Sequence, residues 1–287
     1  MGQSRVSLSG AALILLIAAC SSAPKPPAEI FTLRHLAETN LKLAAKEADR
    51  GNYAEAWDIA AEARRLAVSA DDPPLLVKTG LAQGNILRGM GRRDEAEAAW
   101  GAALAEAERA GLAELEAVCR VHQARGRLLD MEGGDLTGIR AALMADLGRI
   151  KADQLAAALA WTVIGMAERQ ERRWTEAERA FKKALAIHDA GRYLEQCAYD
   201  WYLIASTRSL AGDYEGALEA LERALEYDRR AEYTYGIGKD WLAVGDVNRK
   251  FSRAAQAESA YRRALEIFRA ANLDDDAAEA ERRLEQW

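Results

Sequence analysis

The sequence predicts an all-α protein: about six stacked helical hairpins closed by one further helix. Three observations carry this expectation. Small residues recur at fixed spacing: Ala44, Gly84, Gly165, Ala205 and Gly245 are each followed 12 positions later by an alanine. The copies repeat every 40 residues, except that Ala96 and Ala177 lie 81 apart, which leaves room for one more unit. Helix formers dominate, and the five prolines are confined to positions 24, 26, 27, 73 and 74, so no ring constraint interrupts the chain beyond Pro74. A period of this size signals units that cannot bury their apolar faces alone and must stack.

In chain order, the first segment belongs to targeting. Arg5 precedes the apolar stretch "AALILLIAA", which is too short to span a bilayer comfortably. Ile17-Ala18-Ala19-Cys20 then resembles the bacterial lipobox. That resemblance implies a lipoprotein signal peptide over residues 1–19, cleavage before Cys20, and acylation of its thiol and new amine. At about 0.8 kcal/mol per buried CH₂, several acyl chains make an effectively permanent anchor. Ser21 after the cysteine favours the outer membrane, facing the periplasm, or the outer face of the plasma membrane in a Gram-positive cell. An ordinary secretory signal with a chance cysteine is the alternative. Residues 20–29 are then the lipidated cysteine and a proline-rich tether, "SSAPKPPAE", that holds a solenoid of residues 30–287 off the bilayer.

The hairpins follow. Ala44 with Ala56, Ala60 and Ala63 marks the first, and Gly84 with Ala96, Trp100 and Ala103 the second. Residues 113–153 supply a degenerate third unit, with Gly126 and Gly138 as its small positions. Trp161, Ile164 and Gly165 pair with Ala177, Phe181 and Ala184; Trp201, Ile204 and Ala205 with Ala217, Leu221 and Ala224; Trp241, Val244 and Gly245 with Ala257, Tyr261 and Ala264. Glycine inside a helix costs roughly 1 kcal/mol relative to alanine, so close helix approach is its expected use. Asp274 to Asp276 offer N-capping oxygens for a last helix, 274–287, that covers the exposed end of the stack.

The pattern W-x2-I-G-x11-A-x3-F-x2-A from Trp161 to Ala184 resembles the tetratricopeptide repeat (TPR), over about residues 31–273. The 40-residue period is similar to the variant found in long-helix scaffold members of that superfamily. Where the family commonly has an aromatic, three positions after the first small residue, this chain has Glu47, Leu87, Glu168, Arg208 and Asn248. The resemblance implies a right-handed α-solenoid whose first helices line a concave, partner-binding surface.

Chemistry is sparse. A net charge of −6 gives the chain no overall attraction for nucleic acid. Cys119 and His122 lie one helical turn apart, but no third member at ligand spacing accompanies them. Cys119 and Cys197 sit two repeats apart, too far for a disulfide, and read as buried thiols. No catalytic motif occurs, and no cofactor or metal is expected. Trp100, Trp161, Trp201 and Trp241 read as packing residues.

Helical geometry selects the groove positions. Offsets −6, +1 and +4 from each first small residue share one face, giving eighteen side chains of which seven are basic and three acidic. The candidate partner-binding residues are Lys78, Asn85, Arg88, Arg120, Arg127, Arg169, Tyr199, Tyr202, Lys239 and Arg249. Lys78, Asn85 and Arg88 most resemble the family's carboxylate-holding positions. Leu159 and Met166 interrupt the charged strip. Arginine suits carboxylates through its bidentate fork, so the expected partner is an envelope protein or peptide with an acidic or C-terminal segment. The functional expectation is a non-catalytic, lipid-anchored adaptor serving pilus or secretion, cell-wall or outer-membrane assembly. Its alternative is a peptidoglycan- or small-ligand-binding lipoprotein that grips carboxylates with Arg88, Arg127 and Arg169. An enzyme would require a nucleophilic Cys119. A homodimer is left open.

Overall fold

The computed structural model describes residues 32–130 and 136–285. The expected signal peptide, Cys20 and the tether lie outside the described residues. Thirteen helices and no strand occupy the described residues. They pair as α1 (Thr32–Asp49) with α2 (Tyr53–Ser69), α3 (Pro73–Gly89) with α4 (Arg93–Arg109), and α5 (Ala113–Asp130) with α6 (Leu136–Leu147). Then come α7 (Gln154–Gln170) with α8 (Trp174–Ala190), α9 (Leu194–Ala211) with α10 (Tyr214–Ala231), and α11 (Thr234–Lys250) with α12 (Ala254–Ala270), before α13 (Asp274–Glu285). Each helix packs on the next, and α1, α3, α5 and α7 also touch in succession, as do α9 and α11. No described helix is long and apolar enough to cross a membrane.

The turns have a period of their own. One left-handed residue stands in each of ten turns: Gly51, Asp71, Gly91, Gly111, Arg172, Arg192, Gly212, Glu232, Ser252 and Asn272. After each, a backbone N–H returns to the carbonyl five residues back, as in Asn52 to Glu47 (2.9 Å), Arg173 to Glu168 (2.9 Å) and Leu273 to Phe268 (2.9 Å). This bond satisfies a carbonyl that the helix end would leave unpaired. Six of the ten residues are not glycine, and a left-handed conformation costs such a residue roughly 1 kcal/mol. The 40-residue repeat is therefore two 20-residue helix–turn halves with nearly the same exit geometry.

The glycines in the first helices meet large side chains. A Cβ at Gly84 would collide with Trp100, one at Gly165 with Phe181, and one at Gly245 with Tyr261. In each case the ring lies 16 positions on, in the partner helix, four beyond the conserved-spacing alanine. Trp100 also abuts Gly126 of the third unit, so a single indole spans two hairpins. Trp100, Phe181 and Tyr261 are at most 2% exposed, whereas Trp161, Trp201 and Trp241 are only partly buried at the edges of the core.

Polar locks occupy three of the five positions where an aromatic was absent. Glu47 accepts from Arg50 (3.0 Å) and Asn52 (2.8 Å), and Glu168 forms an ion pair with Arg173 (2.9 Å). Arg208 donates to Glu178 (2.7 Å) and to the Gly216 carbonyl (3.0 Å). Each ties the end of a first helix to its turn or neighbour. At the C-terminal end, Ala277 and Ala280 of α13 join Tyr261 and Phe268 and cover the last hairpin. Asp274 to Asp276 lie within the first turn of α13, where the helix dipole favours acids, and not ahead of it as an N-cap.

Candidate functional site

The first helices of successive hairpins line a concave surface, and its deepest part is a cavity of about 810 Å³. Arg125 of α5, Leu159 of α7, and Glu195, Tyr199 and Tyr202 of α9 form one side. Tyr235, Lys239, Asp240 and Asp246 of α11 face them, with Asp228 at the end of α10 and Glu279 and Arg283 from α13. Asp49, from the end of α1, also lines it. The superhelix returns on itself here: the Tyr233 hydroxyl donates to the Asp49 carbonyl at 3.4 Å, joining the first hairpin to the sixth.

The predicted groove residues divide into two groups. Tyr199, Tyr202 and Lys239 line the cavity. The Tyr199 and Tyr202 rings stack with centroids 6.4 Å apart, and Tyr199 is 49% exposed. Arg169 stands beside them, its guanidinium 5.9 Å from the Phe181 ring centre and donating to Ser206 Oγ at 3.3 Å; burial lowers its pKa. The others lie away from the cavity. Lys78 is an exposed residue of α3, and Asn85 Oδ1 lies 3.0 Å from His122 Nδ1. Arg127 donates to the Gln123 carbonyl of its own helix at 3.4 Å.

Several cations are already neutralised. Arg88 pairs with Asp130 (2.5 Å), Arg120 with Asp146 (2.9 Å), Lys239 with Asp276 (2.6 Å), and Arg249 stands 3.9 Å from Asp246. Asp130 and Asp246 are two of the three acids on the predicted face, whereas Asp146 and Asp276 come from α6 and α13, which counting one face of each first helix leaves out. The strip consequently offers less uncompensated positive charge than its sequence suggests.

The cavity itself is acidic. Asp49, Glu195, Asp228, Asp240, Asp246 and Glu279 line it against Arg125, Lys239 and Arg283. Arg283 is bound by Asp246 and Glu279. Burial raises Asp228 to about 7, with the Glu195 charge acting in the same direction. Burial raises Asp240 to about 9, with Asp228 adding to it. Sequence reasoning missed Asp49, Arg125, Glu195, Asp228, Tyr233, Tyr235, Asp240, Glu279 and Arg283. Asp240 had a signal, since it stands five before Gly245 as the acid Asp200 stands five before Ala205. Asp49 and the α13 residues had none, because the superhelical return that brings them in is not periodic.

The remaining chemical candidates are quiet. Cys119 and Cys197 are fully buried free thiols, and burial pushes both up to about 12, which keeps them protonated. His122 is pushed down to about 4 by burial, and Arg125 adds to the shift, so it is a neutral packing residue at pH 7.

Stacked hairpins around an inner cavity define a helical-repeat solenoid. A tetratricopeptide repeat model matches residues 201–230. Among solved structures, the chain is similar to a Rap protein complexed with competence and sporulation factor, at 18% identity over 87% of this chain and 74% of that one, TM-score 0.61. It is also similar to the apo form of RapI (15%, 87% and 70%, TM-score 0.62). A third similar structure is PilW, a type IV pilus biogenesis factor (16%, 85% and 97%, TM-score 0.52). Among curated proteins nothing matches the sequence. The protein is thus of the TPR type, built as an α-solenoid.

Proposed function

We propose that the protein is a lipid-anchored adaptor of the cell envelope whose concave cavity holds a segment of another envelope protein. The observation that carries this reading is the cavity itself: about 810 Å³, lined by residues of five first helices and walled by tyrosines, one of them half exposed. Pockets of that size bury ligands of several hundred daltons, or a short stretch of extended chain. The similar Rap structure, complexed with its factor, and the similar pilus biogenesis factor support a binding role. The Ile17–Cys20 sequence supports the anchor. Anchoring confines the scaffold to the membrane plane and raises the effective concentration of a partner there.

Two experiments test it. A photocrosslinking residue at position 199 in intact cells is expected to capture one discrete envelope protein, while the same probe at the exposed convex position 223 captures none. Equal capture from both positions, or none from 199, refutes the groove. Metabolic labelling with an alkyne fatty acid is expected to mark the chain and to fail in the Cys20→Ala variant; unchanged labelling refutes the anchor.

A further inference from the structure

Two carboxylates in the cavity lack what buried carboxylates ordinarily require. Asp228 and Asp240 line it and are each 3% exposed. Asp228 Oδ1 and Asp240 Oδ2 have no hydrogen-bond partner among the described residues. Two cations that line the cavity are committed elsewhere, Lys239 to Asp276 and Arg283 to Asp246 and Glu279. An ionised carboxylate buried without a counter-charge is strongly unfavourable, so a matching cation is the missing element. The walls agree with that chemistry. Tyr199 and Tyr202 stack, Tyr233 and Tyr235 lie with centroids 5.9 Å apart, and ring faces attract cations. Among the described residues, no three acidic, histidine or cysteine side chains converge as a metal site would need. An organic cation fits where a metal ion does not.

We propose that this cavity takes the guanidinium or ammonium of an arginine or lysine side chain in the bound segment, with Asp228 and Asp240 as counter-charges and the tyrosines as walls. The inference rests on the groove reading above and reverses the charge expected of the partner. With the cavity empty, protons balance the two acids. Around them stand Glu195 from α9, Asp49 from α1, Tyr233 ahead of α11 and Arg229 on α10; Glu195 disfavours ionisation of Asp228, and Arg229 favours that of Asp240. Arg125 lines the cavity from α5. Entry of a cation therefore expels protons, and binding tightens from pH 6 to pH 8.

The test uses the purified full chain and three fluorescein-labelled pentapeptides, Ala-Arg-Ala-Arg-Ala, Ala-Gln-Ala-Gln-Ala and Ala-Glu-Ala-Glu-Ala, titrated by fluorescence anisotropy. The arginine peptide is expected to bind at least about tenfold more tightly than the other two, and Asp228→Asn or Asp240→Asn to remove about tenfold of its affinity. Asp228→His, with a melting curve to confirm the fold, is expected to abolish the preference. Spermidine serves as a free cation; binding of spermidine without the arginine peptide overturns the peptide as carrier. If the glutamate or glutamine peptide binds as well, or if the two asparagine variants keep native affinity, the cation site is wrong while the groove stands. If no pentapeptide binds, the cation site falls, and the crosslink from position 199 independently decides the groove.

Discussion

Asp200 and Asp240 occupy the same position in successive repeats, 40 residues apart, and so do His188 and Asp228. Between the fourth and fifth units, His188 Nδ1 and Asp200 Oδ2 lie 2.6 Å apart in a buried pair. Between the fifth and sixth, an acid stands in place of the histidine, and the Asp228 charge raises the proton affinity of Asp240 in place of pairing with it. The helix ends sharpen the contrast. His188 and Asp228 both sit in the last turn of a second helix, where the dipole favours a cation and disfavours an anion. One substitution thus turns a hydrogen-bonded histidine–aspartate pair into two acids facing a cavity. The lesson is that a repeat protein builds a site by breaking its own pattern at one unit.

The largest expected effect on that comparison is the pH dependence of stability. Asp228 and Asp240 have folded values near 7 and 9 against 3.8 in the unfolded chain. The folded state therefore binds more protons than the unfolded one above pH 4, and the stability this gives is lost as pH rises through those values. His122, lowered from 6.5 to about 4, opposes one of the two below about pH 6.5. Asp49 and Asp200, also raised by burial, act in the same direction, so stability should fall from pH 5 to pH 8 by on the order of 1 kcal/mol per pH unit. Urea titrations over that range check it, and Asp240→Asn should flatten the slope.

Next comes the His188–Asp200 pair. His188→Leu leaves Asp200 buried without its partner and should cost about 3 kcal/mol at pH 7, whereas Asp228→Leu at the equivalent position should be neutral or stabilising. Equal losses in urea unfolding would erase the contrast. A smaller effect is expected of Asp228→His, which rebuilds the earlier pair and should stabilise the fold by about 1 kcal/mol, seen as a higher Tm. Arg249→Ala is the smallest: its 3.9 Å ion pair with Asp246 is solvent-exposed, and removing it should change stability by less than about 0.5 kcal/mol.

Much of the fold was legible because it is local. The 40-residue spacing placed the hairpins, and Gly165 and Gly245 announced close approach before their contacts were visible. Their contacts were less legible, since the side chains that fill the gap lie 16 positions on and vary among Trp, Phe, Leu and Tyr. The candidate site was half legible. Offset −6 found Tyr199 and Lys239, and offset +1 found Asp246. The arginine strip was misleading as a measure of charge, because Asp130, Asp146 and Asp276 lie on elements that a single-helix wheel does not compare.

From the sequence alone came the all-α class, the period, the capping helix and the expectation of an anchored binding scaffold. These depend on residues within one or two turns of each other, whose spacing along the chain sets their spacing in the helix. Tertiary structure alone decided the charge of the cavity. Small rotations between hairpins accumulate until α1 meets α11, and which carboxylates then share a dry space depends on that sum, which no single repeat encodes.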